Sequence, residues 1–191
     1  MNSISFKLLE KTYVAPAMAE LRFRRPEGFV FEAGQFIQVL VPHEGKVTPR
    51  SYSISSSPSE NYIELCVKVV PGGLASGLFS RLEVGDTIDA RGPLGRFTVD
   101  QNDRPLAFVA TGSGIAPIHA MIVDALQANH SNQSVSLLFG LRHEADIFWE
   151  DRFMKLAELY PQFSFAITLS GETEILRQNR KIGRVTSHIN D

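Results

Sequence analysis

Along the first hundred residues, apolar positions gather in short runs of β-branched and aromatic side chains that stop at Gly, Pro, Asn or Ser. Such runs fall at 5–14, 19–24, 35–41, 51–55, 62–70 and 87–91. They predict antiparallel strands that close as a barrel or stack as a sandwich. One stretch breaks this rhythm. After Gly72 and Gly73, the residues Leu74, Leu78, Phe79 and Leu82 return at helical spacing and predict a short helix over 74–82. The polar segment DQNDRP at 100–105 follows neither period and marks a linker. From there the pattern alternates. Apolar strands at 106–110, 134–139 and 163–169 are separated by helical stripes at 115–128 (Ile115, Ile118, Ile122, Leu126) and 149–160 (Trp149, Phe153, Leu156, Tyr160). Strand–helix alternation implies a parallel sheet with right-handed crossovers. The chain therefore divides into an antiparallel β domain at 1–101 and an α/β parallel-sheet domain at 104–191.

Composition changes this picture mainly by exclusion. The 191 residues carry 19 Lys and Arg against 21 Asp and Glu, a formal charge of −2. The balance holds in both halves, so neither has the basic excess of a nucleic acid surface. No apolar stretch approaches the ~20 residues that span a bilayer. The start, MNSISFKLLEK, has no cationic run ahead of an apolar core, so no membrane insertion and a cytoplasmic location are expected. Cys66 is the only cysteine, which excludes within this chain an intramolecular disulfide, a four-cysteine iron–sulfur cluster and a thiolate zinc site. The histidines, His43, His119, His130, His143 and His188, lack metal-ligand spacing, and no metal is expected. Redox chemistry here would need an organic cofactor.

Three segments carry candidate chemistry. In AFVATGSGIAP, 107–117, an apolar strand ends in Thr111, Gly112, Ser113 and Gly114 and a helix follows at once. Glycines there let backbone N–H groups approach a ligand, and the helix start adds unpaired donors and a dipole that favours phosphate. An ordinary strand-to-helix turn reads the same way. Pro117 stands where the dinucleotide fingerprint would have its third glycine, and no P-loop lysine follows. RSYSISS, 50–56, sets Arg50 and Tyr52 on one face of a strand and Ser51 and Ser53 on the other. That set suits either a phosphate and a flat ring or a plain exposed edge. The turn Gly72-Gly73-Leu74-Ala75-Ser76 again leads glycines into a helix, with Ser76 an anion-binding hydroxyl or a surface group.

Taken in order, R-x-Y-S at 50–53, G-G-x-x-S at 72–76, GPLGRF at 92–97 and TGSGIAP at 111–117 resemble the ferredoxin-NADP(+) reductase family of flavoproteins. The resemblance covers nearly the whole chain, extending to FGLRHEADIFWEDRF at 139–153 and GRVTSHI at 183–189. It implies a Greek-key flavin-binding barrel, a nucleotide-binding α/β domain, FAD as cofactor and NAD(P)H as electron donor. Site roles are implied residue by residue. Arg50 would meet a flavin phosphate with Ser51 beside it, Tyr52 would lie against the isoalloxazine, and Ser53 would hydrogen-bond near flavin N5. Tyr52 and Ser53 would thus stand closest to the chemistry. Gly73, Leu74, Ala75 and Ser76 would wrap the FAD pyrophosphate, favouring FAD over FMN. Cys66, Val67 and Lys68 would turn their backbone to the flavin edge, Cys66 being a buried strand residue and no nucleophile. Thr111, Gly112, Ser113 and Gly114 would receive the pyridine nucleotide, and Arg142 its ribose or phosphate. The implied activity is hydride transfer from NAD(P)H to flavin, with electrons passed to a ferredoxin, an oxygenase component or a small molecule. The alternative is a noncatalytic flavin- or nucleotide-binding electron-transfer subunit of a larger complex.

Two departures qualify the resemblance. Members that prefer NADPH commonly carry Ser-Arg after the third nucleotide-domain strand, whereas this chain reads Leu169-Ser170-Gly171-Glu172. A glutamate there would repel a 2′-phosphate and tilts the expectation to NADH, unless Arg142 or the cluster Arg177, Arg180, Lys181 and Arg184 compensates. Family members also continue beyond the position of Asp191 with a further parallel strand. Without it, the sheet is expected to expose an edge through which copies of the chain could associate.

Overall fold

The computed structural model describes residues 3–100, 104–127, 133–174, 177 and 179–189. Linker residues 101–103, the expected helix end at 128, His130 and Asp191 lie outside the described residues. The first domain has six strands, β1 (Ile4–Ala15), β2 (Met18–Arg24), β3 (Phe36–His43), β4 (Lys46–Ser53), β5 (Tyr62–Lys68) and β6 (Thr87–Leu94). One helix, α1 (Leu74–Arg81), joins β5 to β6. All pairings are antiparallel in the order β4-β3-β6-β1-β2-β5, and a bridge between Ile54 and Leu65 brings the two ends together. The domain is therefore a barrel, and the β3–β4 hairpin inserted between β6 and β5 makes its connections a Greek key.

Period-two burial explains the strands. In β3, Ile37, Val39 and Val41 point inward between less buried neighbours, and they meet Phe6, Leu21, Phe23, Ile63 and Leu65, which are wholly buried. Helix α1 sets Ala75 and Phe79 against this core. Strand β4 differs from expectation, running from Lys46 to Ser53 and not over 51–55. Its start is set by a turn on Glu44 and Gly45, both at positive φ (49° and 73°), the two-residue hairpin geometry that matches strand twist. Residues 46–51 are mostly exposed on both faces, so no apolar alternation announced them. With a neighbour on the β3 side only, the strand also accommodates Pro49, which has no N–H to donate. Similarly, β5 stops at Lys68, two residues short of the expected end.

In the second domain β7 (Leu106–Thr111), α2 (Ile115–Gln127), β8 (Val135–Leu141), α3 (Glu150–Leu159), β9 (Phe163–Leu169) and β10 (Arg180–Ile182) form a parallel sheet in the order β10-β9-β8-β7. Both helices lie on one face. Phe153 of α3 touches Phe139, Phe163 and Phe165, while His119 of α2 lies beside Phe153. On the other face Ala107, Val109, Ser136 and Ser164 are exposed. Among the described residues β7 has no strand on its outer edge.

Strand β10 has no apolar signature because a charge cluster holds it. Buried Arg180 forms a fork on Glu150, Nη1 to Oε1 and Nη2 to Oε2 each at 2.8 Å, and also reaches Glu144 Oε1 at 3.1 Å. Asn179 adds Nδ2 to Glu150 Oε1 at 2.9 Å. The Arg180 hydrogen bonds hold the Glu150 carboxyl down to about 2. A carboxyl depressed on folding stabilises the native state above its ordinary value near 4.5 and loses that contribution as pH falls towards about 2. Glu150→Gln is therefore expected to lower the melting temperature near neutral pH, with the difference from the parent shrinking through this interval. Thermal unfolding by circular dichroism across pH 2–7 checks it, and a pH-independent difference would refute it.

Candidate active site

The barrel closes by a single bridge, and beyond that bridge it opens. Continuing the Ile54–Leu65 register would place Ser53 opposite Cys66 and Tyr52 opposite Val67, yet no pairing is made there. β4 and β5 part, and Arg50, Ser51, Tyr52 and Ser53 stand along one side of the gap. Arg50 is exposed, and among the described residues its guanidinium hydrogen-bonds only to the Pro49 carbonyl, at 3.0 Å. Tyr52 packs edge-on against Phe79 of α1, ring centroids 4.9 Å apart. Burial raises its phenol above the ordinary value despite the opposing charge of Arg50. Ser53 is partly buried and Ser51 exposed. Across the gap, Val67 points into the barrel core and Cys66 into the interface between domains, while Lys68 is exposed. Burial, reinforced by Glu64 and Glu20, pushes the Cys66 thiol far up.

One end of the gap meets the start of α1. Gly72, at φ +74°, turns the chain, and Gly73 caps the helix without any side-chain bond. A Cβ on Gly73 would lie 3.0 Å from Ser76 Oγ and 3.1 Å from the Val70 carbonyl, so a larger residue would loosen the turn. The Ser76 hydroxyl accepts from the Val70 N–H at 2.9 Å, which leaves its own proton to donate. First-turn N–H groups at Leu74, Ala75 and Ser76 have no intrahelical partner, and their direction favours an anion. Arg50, these donors and the face of Tyr52 are suited to a pyrophosphate with an attached flat ring.

A second opening, a cleft of about 920 Å³, lies where the carboxyl ends of the parallel strands meet the barrel. Thr111 lines it from the end of β7, Gly112 and Ser113 from the turn that follows, Arg142 from just beyond β8 and Arg184 from the closing segment after β10, with Met18 and Lys68 on the barrel side. Gly112–Gly114 forms a 3₁₀ turn that runs straight into α2. Carboxyl-end crevices of this kind are where open α/β sheets bind ligands. The Thr168 hydroxyl, wholly buried and without a hydrogen-bond partner among the described residues, also lines the cleft. Gly140 and Val185 escaped sequence reasoning. A Cβ on Gly140 would come within 2.6 Å of Val185 Cγ1 and 3.0 Å of Thr111 Cγ2, so glycine lets the closing segment cross the sheet end. The glycine closing the apolar run of β8 was the available signal.

Two sequence expectations are rearranged. Glu172 does not line the cleft. Its Oε1 accepts from the Glu144 N–H at 3.1 Å and lies 3.3 Å from His143 Nδ1, bracing the loop after β8. The basic cluster is also divided, because Arg180 is engaged by Glu144 and Glu150 and Arg177 reaches Glu150 at 3.5 Å. Arg184 alone of that cluster lines the cleft.

A cofactor groove on an antiparallel barrel, set beside a nucleotide cleft on a parallel sheet, defines the two-domain flavin and nicotinamide oxidoreductases. Residues 5–99 match the oxidoreductase FAD-binding domain and residues 108–191 the oxidoreductase NAD-binding domain. The chain belongs to the ferredoxin–NADP(+) reductase family. It is 39% identical over 161 residues to ferredoxin–NADP reductase B of Sorangium cellulosum, covering 82% of this chain and 66% of that protein. To the reductase subunit of an Amycolatopsis aromatic O-demethylase it is 34% identical over 181 residues, covering 91% and 53%. The crystal structure of an Amycolatopsis cytochrome P450 reductase superposes with a TM-score of 0.87 at 30% identity, covering 98% of this chain and 57% of that one. A ferredoxin NADP+ reductase from Neisseria gonorrhoeae with bound FAD and NADP shares the fold, with a TM-score of 0.82 at 23% identity and coverages of 96% and 74%. The chain thus spans 53 to 66% of these two curated relatives. No described helix is long and apolar enough to cross a membrane.

The position of Cys66 is directly testable. A raised, buried thiol reacts slowly because the thiolate is the nucleophile. Native protein at pH 8 is expected to leave Ellman's reagent unreacted and to release one equivalent on unfolding in guanidinium; rapid native labelling would contradict the burial.

Proposed function

We propose that this chain is an NAD(P)H-dependent flavoprotein reductase, taking hydride from a nicotinamide nucleotide onto FAD and handing electrons to a separate acceptor. The observation that carries the reading is the parting of β4 and β5 beyond the Ile54–Leu65 bridge, beside the cleft at the carboxyl ends of the parallel strands. When bound, FAD supplies an acceptor for a hydride that can release its electrons singly. The remaining work falls to the chain. Arg50 and the first-turn N–H groups of α1 hold phosphate, Tyr52 backs a flat ring with Phe79 behind it, and Ser53 offers a hydroxyl where that ring would end. Cys66, Val67 and Lys68 border the same ring along their backbone. On the nucleotide side, Thr111 to Gly114 receive the pyrophosphate, and Arg142 and Arg184 supply positive charge. Facing the two sites towards one another shortens the donor–acceptor distance and excludes water, which is what hydride transfer requires.

Relatives named as reductase components of phenol 2-monooxygenase and terephthalate 1,2-dioxygenase support an oxygenase component or a ferredoxin as acceptor. With one buried cysteine, any iron–sulfur carrier would lie outside residues 1–191. Glu172 does not itself line the cleft, but its carboxylate stands 3.3 Å from His143, which does, and that neighbouring negative charge favours NADH over NADPH; supply of these nucleotides fits a cytoplasmic setting. Among the described residues the outer edge of β7 carries no strand, and it offers backbone groups through which two copies could pair.

Anaerobic addition of nucleotide to the FAD-loaded protein tests the proposal. The flavin absorbance near 450 nm is expected to bleach, and faster with NADH than with NADPH. Bound flavin that neither nucleotide bleaches would replace this reading with that of a noncatalytic subunit. Arg50→Ala should weaken FAD retention by roughly ten- to a hundredfold, as expected for loss of a charge-assisted contact of about 1.5–3 kcal/mol. Fluorescence titration of the apoprotein with FAD measures it, and equal affinity would remove Arg50 from the phosphate site.

A further inference from the structure

The interface between the domains carries a polar cluster that the proposed chemistry leaves unused. Glu20 on β2 and Glu64 on β5 are 5% and 1% exposed on the barrel wall facing the second domain. Arg152 of α3 grips both, with Nη2 to Glu20 Oε2 at 2.6 Å and Nη1 to Glu64 Oε1 at 3.0 Å. From the barrel side, Arg22 pairs with Glu20 at 3.2 Å and Glu64 at 2.9 Å. Each domain thus contributes one guanidinium to the same two carboxylates. Trp149, which caps α3 in the left-handed region at φ 62°, donates its indole N–H to Glu20 Oε2 at 2.9 Å and lies under the Arg152 guanidinium, 4.8 Å from the ring centroid. His119 of α2 donates from Nδ1 to the Ser55 carbonyl at 2.8 Å, and Ser55 donates from Oγ to Glu64 Oε1 at 3.0 Å.

Location gives this cluster its meaning. Glu64 precedes Cys66 on β5, and Ser55 follows Ser53, so the cluster holds both strands where they begin to part. On the other side, Trp149 and Arg152 directly follow the loop whose residues Arg142, His143 and Asp146 line the nucleotide cleft. Apolar neighbours at this interface, among them Met18, Cys66 and Ile115, resist separation but impose little direction. Forked hydrogen bonds impose direction, whereas buried ion pairs recover their desolvation cost poorly and are weak sources of stability. Burial pushes both carboxyls upward. At Glu64 the hydrogen bonds and charges of Arg152 and Arg22 prevail and bring it down to about 2, so the grip acts on an ionised group.

We propose that Arg152 is a positioning residue: by forking onto Glu20 and Glu64 it fixes the angle between the barrel and the nucleotide domain, and with it the distance over which hydride passes. This rests on the reductase reading above. Arg152→Lys keeps the charge and loses the fork. It is expected to retain the melting temperature, FAD content and NADH dissociation constant of the parent, while the limiting rate of anaerobic flavin bleaching at saturating NADH falls by roughly 10- to 100-fold, the scale of an ångström-level misplacement. An unchanged limiting rate, or an effect confined to the NADH concentration dependence, overturns the proposal. Trp149 is the only tryptophan, so its emission reports on the cluster independently of turnover. Arg152→Lys should shift that emission to the red, and an unmoved spectrum overturns the grip itself. Should Arg152→Lys fail to fold, Glu20→Gln, which weakens one arm of the fork, takes its place: a slower limiting rate with red-shifted emission supports the clamp, and an unchanged rate or spectrum overturns it. A parent protein that NADH does not bleach would instead reject the reductase reading, leaving the emission arm to decide on the clamp.

Discussion

A β-barrel has to satisfy the backbone groups of its last two strands, and here that obligation is met at one point, the bridge between Ile54 and Leu65. Everything proposed for the flavin side depends on this. Had the ladder continued, Arg50, Tyr52 and Ser53 would have been strand neighbours of Cys66 and Lys68, with no gap between them. Instead the polar backbone along the parted strands is left for water or a ligand, which is tolerable only at a surface. The start of α1 lies at one end of that gap and the carboxyl ends of the parallel strands beyond it, so one incomplete closure organises both openings.

The division of the chain, the barrel strands and the first three parallel strands were legible because each buries one face or both, and burial writes itself into hydrophobic period. The glycine turns at Gly73 and Gly112 were legible for a different reason: backbone geometry there admits little else. What escaped has physical causes as well. The first half of β4 is exposed on both faces, and β10 is held by Arg180 through carboxylates distant in sequence, Glu144 and Glu150. Ion pairs between remote positions leave no period to read. The same holds for Glu172, whose residue type suggested a ligand contact and whose carboxylate proves to brace a loop.

Charge is therefore used in this chain in two different ways. Around Glu20 and Glu64 it is buried between the domains and shared by an arginine from each. Around Glu150 it is internal to the nucleotide domain and ties the loop after β8 to β10. In both places the carboxylates are accepted into the protein only because planar guanidiniums satisfy several oxygens at once, a task for which lysine has the charge but not the shape.

Among the described residues the parallel sheet has β8 bordered on both sides and β7 on one. Amides of β8 are released only when the sheet itself opens, whereas part of β7 presents its N–H groups outward. Among the described residues, solvent exchange would accordingly reach the edge strands β7 and β10 before β8, and β7 is the one that ends in Thr111 and the glycine turn. A ligand seated at that turn acts on an edge strand of the domain, so that occupancy of the cleft and the local opening of that edge become a single linked equilibrium.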